Sequence, residues 1–179
     1  LAFLKLHPDD CEISKAAVKD FPMLVTQRFA RQMQPNNPLD PLLLQVLPHF
    51  SETETSPGFI LDPMSEQSMS PVPGLIHRYH GRVLIITHGS CPIHCRFCFR
   101  RYYPYQEKQQ NKNAQGIYKY IAENKSIKEV IFSGGDPFMQ NDTHLKCMVD
   151  EISNIPHIKR IRWHTRVPIV LPERMTPSL

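Results

Sequence analysis

The sequence predicts an α/β fold built on a parallel sheet, and three observations carry that prediction. Apolar runs rich in β-branched residues read as strands: RVLIIT (82–87), EVIFSGG (129–135) and KRIRWHTRVPIVL (159–171). Segments of helical spacing, NAQGIYKYIAEN (113–124) and THLKCMVDEISNI (143–155), fall between them. The resulting order of strand, loop, helix, strand, loop, helix, strand is a βαβ series, which makes neighbouring strands parallel. In such folds functional groups gather at the carboxyl ends of the strands. A cysteine cluster, a Gly-Gly-Asp and a His-Thr-Arg all fall at or just past those ends.

The segment ahead of the sheet is of another kind. Residues 1–34 read as mostly helical, with Asp9 or Asp10 capping a helix through Ala16 and Phe21-Pro22 opening another through Met33. From 35 to 73 proline recurs at 35, 38, 41, 48, 57, 63, 71 and 73, with Ser and Thr between. LLLQVLP has room for a helical turn or two. The rest reads as an ordered, irregular arm or a disordered linker. The expected division is a helical and proline-rich arm over 1–73 and the sheet-forming unit over 74–179.

A chain of 179 residues, 41% hydrophobic and 21% charged, has the size and composition of one globular domain. Its net charge of +4 is mild and no long Lys/Arg run occurs, so nucleic acid is not an expected partner. No run of about 18 apolar residues is present, so no membrane span is expected. The start, LAFLKLHPDDCEIS, turns acidic too soon for a secretory signal. A reducing cytoplasm is the expected location, and there clustered cysteines bind metal or react more often than they pair. The chain opens on Leu1 and closes on RMTPSL just after an apolar run, so it is expected to be a piece of a longer protein.

The sharpest feature is SCPIHCRFCFRR (90–101), which sets Cys91, Cys95 and Cys98 in one loop. Thiolates suit zinc or iron–sulfur clusters. Structural zinc usually takes four protein ligands, often as two separated pairs, and here only His88 and His94 offer a fourth. Three cysteines can instead hold three irons of a [4Fe–4S] cube and leave the fourth open to a reactant. The residues alone leave three readings: the cluster, which ligand count and softness favour, a structural zinc module in a binding protein, and cysteines with no ligand. Cys11 and Cys147 read as ordinary residues, Cys147 on a buried helix face. The histidines at 77, 80, 88 and 94 read as surface or supporting groups, and Tyr102-Tyr103 as packing.

Cys-x3-Cys-x2-Cys after a barrel strand resembles the signature of the radical S-adenosylmethionine (SAM) enzymes. CRFCFRR, FSGGDP and HTRVPIV together resemble the lysine 2,3-aminomutase family within them. The arm SPGFILDPMSEQSMSPVPGLIHRYHGRVLI is most similar to the shorter-chain branch, whose members make (R)-β-lysine for attachment to elongation factor P by a separate ligase. The resemblance covers roughly residues 20–175 and is weakest at the N-terminus. It implies the first half of an open (β/α) barrel carrying a [4Fe–4S] cluster, SAM and pyridoxal 5′-phosphate (PLP). The implied reaction uses a 5′-deoxyadenosyl radical to take a β-hydrogen from L-lysine, after which the amino nitrogen migrates from Cα to Cβ while held on PLP.

Residue by residue, the resemblance implies that Cys91, Cys95 and Cys98 hold the cluster. Gly134, Gly135 and Asp136 meet the methionyl end of SAM, with Phe97 against the cluster or adenine and Arg166 lining the cofactor site beside His164 and Thr165. Arg78, Tyr79 and Arg82 bind the PLP phosphate, and Arg100 grips the substrate carboxylate with its guanidinium fork. Simpler readings stand beside these. Arg78 and Arg82 suit solvated surface charges, and Arg100 and Arg101 suit partners for carboxylates elsewhere in the chain. Asp136 before a proline suits a turn, and Gly134-Gly135 strand-to-helix punctuation. The family's PLP-bearing lysine and its ammonium-recognising carboxylates belong to its C-terminal part, outside this chain. The choice among lysine for elongation factor P, catabolic lysine and glutamate is therefore not written in these residues. A half barrel also leaves strand edges and an apolar face uncovered, so the chain alone is expected to be poorly soluble and inactive.

Overall fold

A computed structural model describes residues 1–105 and 113–179. Four strands form one sheet in the order β1-β2-β3-β4. β2 (Arg82–Ile86), β3 (Glu129–Ser133) and β4 (Arg160–Trp163) run parallel, each paired with the next. The helix α3 (Ala114–Glu123) crosses from β2 to β3, and α4 (Asp142–Ser153) crosses from β3 to β4. This is the expected α/β series. The described residues contain no helix long and apolar enough to cross a membrane.

Side-chain alternation explains the layering. Val83, Ile85, Val130 and Phe132 point to one face, where they pack on Ile117 and Ile121 of α3 and on Leu145, Met148 and Ile152 of α4. Fully burying a side chain such as Phe132 or Ile121 contributes about 1.5–3 kcal/mol. Phe132 also stacks on Trp163, with centroids 4.6 Å apart. The opposite face of the same strands carries Arg82, Leu84, Ile131 and Ser133, which line an open cavity. Cys147 is exposed, which corrects the expectation of a buried position. α4 turns Leu145, Met148 and Ile152 inward, and Cys147 falls off that stripe.

Three further elements differ from expectation. β1 (Leu75–Tyr79) precedes β2 and pairs with it antiparallel, making HRYHGR part of a hairpin, a strand the sequence reading did not include. The turn is His80-Gly81, and Gly81 takes the left-handed φ of +81° that favours glycine. The third strand, read as 159–171, ends at Trp163, and Val167–Val170 form a short helix, α5. Pro168 cannot donate to a strand ladder, and the Asp136 carboxylate accepts from the backbone N–H of Arg166 (2.7 Å) and of Val167 (3.2 Å), capping the helix instead.

In the N-terminal region the two long helices are replaced by short pieces. 3₁₀ turns occupy Ala2–Leu4 and Pro8–Cys11, while α1 (Lys15–Asp20) and α2 (Gln27–Ala30) begin at the side-chain caps Ser14 and Thr26. Asp9 and Asp10 lie inside the second 3₁₀ turn and cap no helix. LLLQVLP does make a helical turn, nucleated by Asp40, whose carboxylate accepts from the amides of Leu42 and Leu43 at 2.9 Å each. Leu43, Val46, Leu47, Phe29 and Met33 form a second core with Ile93 of the cysteine loop and Val170 of α5. The Thr26 hydroxyl donates to the Val170 carbonyl and joins α2 to α5. The N-terminal segments thereby brace the cysteine loop from outside the sheet.

Candidate active site at the carboxyl ends of the strands

Two strand-end loops are laced into one structure. The Thr87 amide donates to the Ser133 carbonyl (2.9 Å), the Gly135 amide to His88 O (2.6 Å) and the Asp136 amide to Ser90 O (2.8 Å). Gly134 sits at φ +124°, where a Cβ would lie 2.6 Å from the His88 carbonyl oxygen. A Cβ on Gly135 would collide with the Ser90 carbonyl oxygen. The two glycines are thus required by the backbone of the cysteine loop passing over them. His88 fastens the same junction. Its Nε2 donates to Asp136 O (2.8 Å), and its Nδ1 accepts from the Ser90 amide (3.1 Å). A carbonyl only accepts and an amide N–H only donates, so the ring is the neutral Nε2–H tautomer. Burial accordingly holds its pKa below the ordinary histidine value.

Asp136 is buried and its carboxylate is fully engaged. Besides the α5 amides it accepts from Thr165 Oγ1 (2.6 Å) and the Phe138 amide (3.1 Å), so it ties the GGD loop to the end of β4. The turn reading of Asp136 and the His-Thr-Arg at the β4 end are therefore one feature.

The arginines around the cysteine loop pair with acids from the N-terminal region. Arg96 makes a fork-to-fork pair with Glu52, and Arg101 bonds Glu52 (2.9 Å) and Asp20 (3.1 Å). Burial pulls Glu52 upward, but hydrogen bonds from Arg96, the His49 amide and Arg101 outweigh it and hold the carboxyl below its usual range. Tyr102 donates to Asp20 (2.7 Å). Arg100 points inward and is buried. Its Nε and Nη2 each donate to Glu66 at 2.6 Å, and its Nη1 to Ser133 Oγ at 3.0 Å. Glu52, Glu66, Gln45 and Ser133 were not singled out from sequence. They lie tens of residues from their partners, and no local spacing marks them.

One cavity of about 670 Å³ opens over the sheet. Cys91, Cys95 and Cys98 line it together with Gly134, Gly135, Asp136, Arg100 and Arg166, and with Arg78, Tyr79 and Arg82 from the hairpin. Phe97 is two-thirds exposed, with the Arg166 guanidinium 5.6 Å over its ring. Arg78 donates to the Met64 carbonyl (2.7 Å). Arg166 donates from Nη1 to Cys95 Sγ (2.8 Å) and from Nη2 to Gln45 Oε1 (2.8 Å).

The donor set discriminates between metals. Zn–S bonds of about 2.3 Å would put ligating sulfurs only about 3.8 Å apart. Among the described residues no three His, Cys, Asp or Glu side chains are grouped to hold a single ion. Of the two candidate fourth ligands, His88 uses both nitrogens, while His94 donates from Nδ1 to the Pro22 carbonyl (2.7 Å) and stacks on Phe21. Three thiols lining one cavity suit three corners of a cube, with the fourth iron left to a reactant. Burial, with Asp136 adding to it, pushes the Cys91 thiol up to about 12, and burial raises Cys98 as well. The positive charge of a bound metal would favour the thiolates in this pocket.

Comparison with known proteins agrees with this chemistry. The family model described as the radical SAM superfamily matches residues 85–176, from the end of β2 past α5. The protein named L-lysine 2,3-aminomutase of Escherichia coli (strain K12) is 47% identical over 166 residues, 92% of this chain and 48% of that protein. The protein of the same name from Haemophilus influenzae is 44% identical over 98% of this chain and 52% of its own length. That of Bacillus subtilis (strain 168) is 35% identical over 98% of this chain and 38% of its own length. The chain spans about half the length of the first two relatives. It belongs to the radical SAM superfamily, in its lysine 2,3-aminomutase family, whose members use a [4Fe–4S] cluster and SAM.

Proposed function

We propose that this chain forms the cluster-bearing part of an isomerase that converts L-lysine to (R)-β-lysine. The observation that carries the reading is the single cavity shared by the three cysteines, the Gly-Gly-Asp loop, the hairpin arginines and Arg100. When bound, the cluster with SAM supplies a carbon-centred radical, and PLP supplies a carrier for the migrating amino group.

The chain's own residues do the placing. Cys91, Cys95 and Cys98 hold three irons. Gly134 and Gly135 keep the loop beside the cysteines free of side chains, and Asp136 and Arg166 wall the SAM site, with Phe97 at its mouth. Arg78, Tyr79 and Arg82 meet the PLP phosphate from the hairpin at the far side of the cavity. Arg100 holds the substrate carboxylate and so fixes Cα and Cβ relative to the radical carbon. A reducing, cytoplasmic setting suits five free cysteines.

The finer assignment is to the branch that supplies elongation factor P and its ligase. It rests on the resemblance of the arm at 56–85 to the shorter-chain branch; the relatives of Escherichia coli and Bacillus subtilis carry one name and do not separate the branches. The reading is tested by assaying the reconstituted holoenzyme with lysine and with glutamate, measuring the β-amino acid and 5′-deoxyadenosine. β-Lysine from lysine alone is expected, and Arg100→Lys should still release 5′-deoxyadenosine slowly yet make little β-lysine. Arg101→Lys should do less harm, because its partners are Asp20 and Glu52. Equal loss from both arginines, or turnover of glutamate in place of lysine, contradicts it. Product accepted by the ligase for elongation factor P marks the branch, and product the ligase refuses marks a catabolic enzyme.

A further inference from the structure

We propose that Glu66 is a positioning residue for substrate recognition: it clamps one edge of Arg100 and leaves the guanidinium end free for a ligand carboxylate. This rests on the reading of Arg100 as the carboxylate site. Both side chains are buried, and Glu66 takes the Nε–H and one Nη2–H at 2.6 Å each. Ser133 of β3 takes one Nη1–H at 3.0 Å. A guanidinium has five N–H donors, so one remains on each terminal nitrogen. Arg100, Glu66 and Ser133 all line the cavity that holds the cysteines.

Glu66 is itself held. Asp62 accepts from its backbone amide (3.1 Å) and from that of Gln67 (3.3 Å), and Arg78 grips the Met64 carbonyl (2.7 Å). The turn at 62–67 is therefore fixed from its own base and from the hairpin. An arginine on a loop has long, flexible rotamers, and two parallel bonds to a fixed carboxylate remove that freedom before a ligand arrives.

The experiment compares lysine with lysinamide, which lacks the carboxylate, in reconstituted holoenzyme, with iron content and PLP absorbance recorded alongside. Wild-type protein should strongly prefer lysine. Glu66→Gln should raise KM for lysine on the order of tenfold, lower kcat less and narrow the preference over lysinamide, with iron and PLP unchanged. Glu66→Asp should recover part of the preference, and it carries the test if Glu66→Gln does not fold. Arg100→Lys should collapse the preference. If Arg100→Lys keeps it, the carboxylate reading itself fails. If Arg100→Lys loses it while both Glu66 variants keep it, only the positioning role fails. A lower KM in Glu66→Gln would overturn the proposal by making Glu66 a competitor of the substrate.

Discussion

Gly135 and Ser90 are in backbone contact, with the Gly135 Cα packed so closely that an added Cβ would strike the Ser90 carbonyl oxygen and lie 2.7 Å from the Gly89 carbonyl carbon. The contact joins the end of β3 to the loop that carries the cysteines, so the geometry of the thiols depends on a residue that bears no functional group.

Gly135→Ala should destabilise this junction. The clash is with backbone, which cannot swing aside, so a cost of about 1–3 kcal/mol or more is expected, with reduced iron retention. Gly58→Ala is the control. Gly58 has a positive φ, which Gly135 lacks, but no atom lies within 4 Å, so only local strain of about 1 kcal/mol applies and iron content should hold. Chemical denaturation and iron analysis of both variants check this, and equal iron loss would contradict it.

In the full-length enzyme, Arg78→Ala or Arg82→Ala should weaken PLP binding while leaving iron content intact. Loss of one charge-assisted phosphate contact costs about 1.5–3 kcal/mol. Equilibrium titration followed at the PLP absorbance band measures it. A double variant with unchanged affinity removes the hairpin from the PLP site.

His88 makes the fold acid-sensitive. Its folded pKa lies below the ordinary value of about 6.5 because burial disfavours the charged ring. The unfolded chain then binds the proton more readily, so stability rises with pH in this window. The contribution is whole above about pH 6.5 and is lost as pH falls through the lower folded value. Burial lowers His77 and His164 in the same sense. Unfolding free energy should fall from about pH 7 to 5.5, and His88→Gln should flatten the slope. An unchanged slope would show that His88 carries none of it.

How much of this was legible varies by element. β3 was plain because all five of its residues are buried and its centre, Val130-Ile131-Phe132, is an unbroken apolar run before two glycines. β4 was overextended because RVPIV is apolar in either conformation, and what stops the strand is Asp136, 30 residues upstream. The β1–β2 hairpin had a local signal, apolar runs flanking His80-Gly81, but its charged residues drew the reading toward binding and away from pairing. In the cysteine loop the three candidate thiols were visible because their spacing is local, although the residues alone left cluster, zinc and no ligand open. The arm's part in the site was not: Glu66 meets Arg100 across 34 positions and Glu52 meets Arg96 across 44, and only folding brings them together. The same distance hid Arg166 as a neighbour of Cys95.

The central claim, that Cys91, Cys95 and Cys98 hold a [4Fe–4S] cluster with one iron open to SAM, is tested most directly by iron content with electron paramagnetic resonance. Anaerobically reconstituted and reduced protein should hold about four irons per chain and give a cluster signal that changes when SAM is added. Cys95→Ala should abolish both, and Cys11→Ala, at a thiol that is not among the residues lining the cavity, should alter neither. Full iron loading in Cys95→Ala, or a colourless protein containing zinc, would contradict the account.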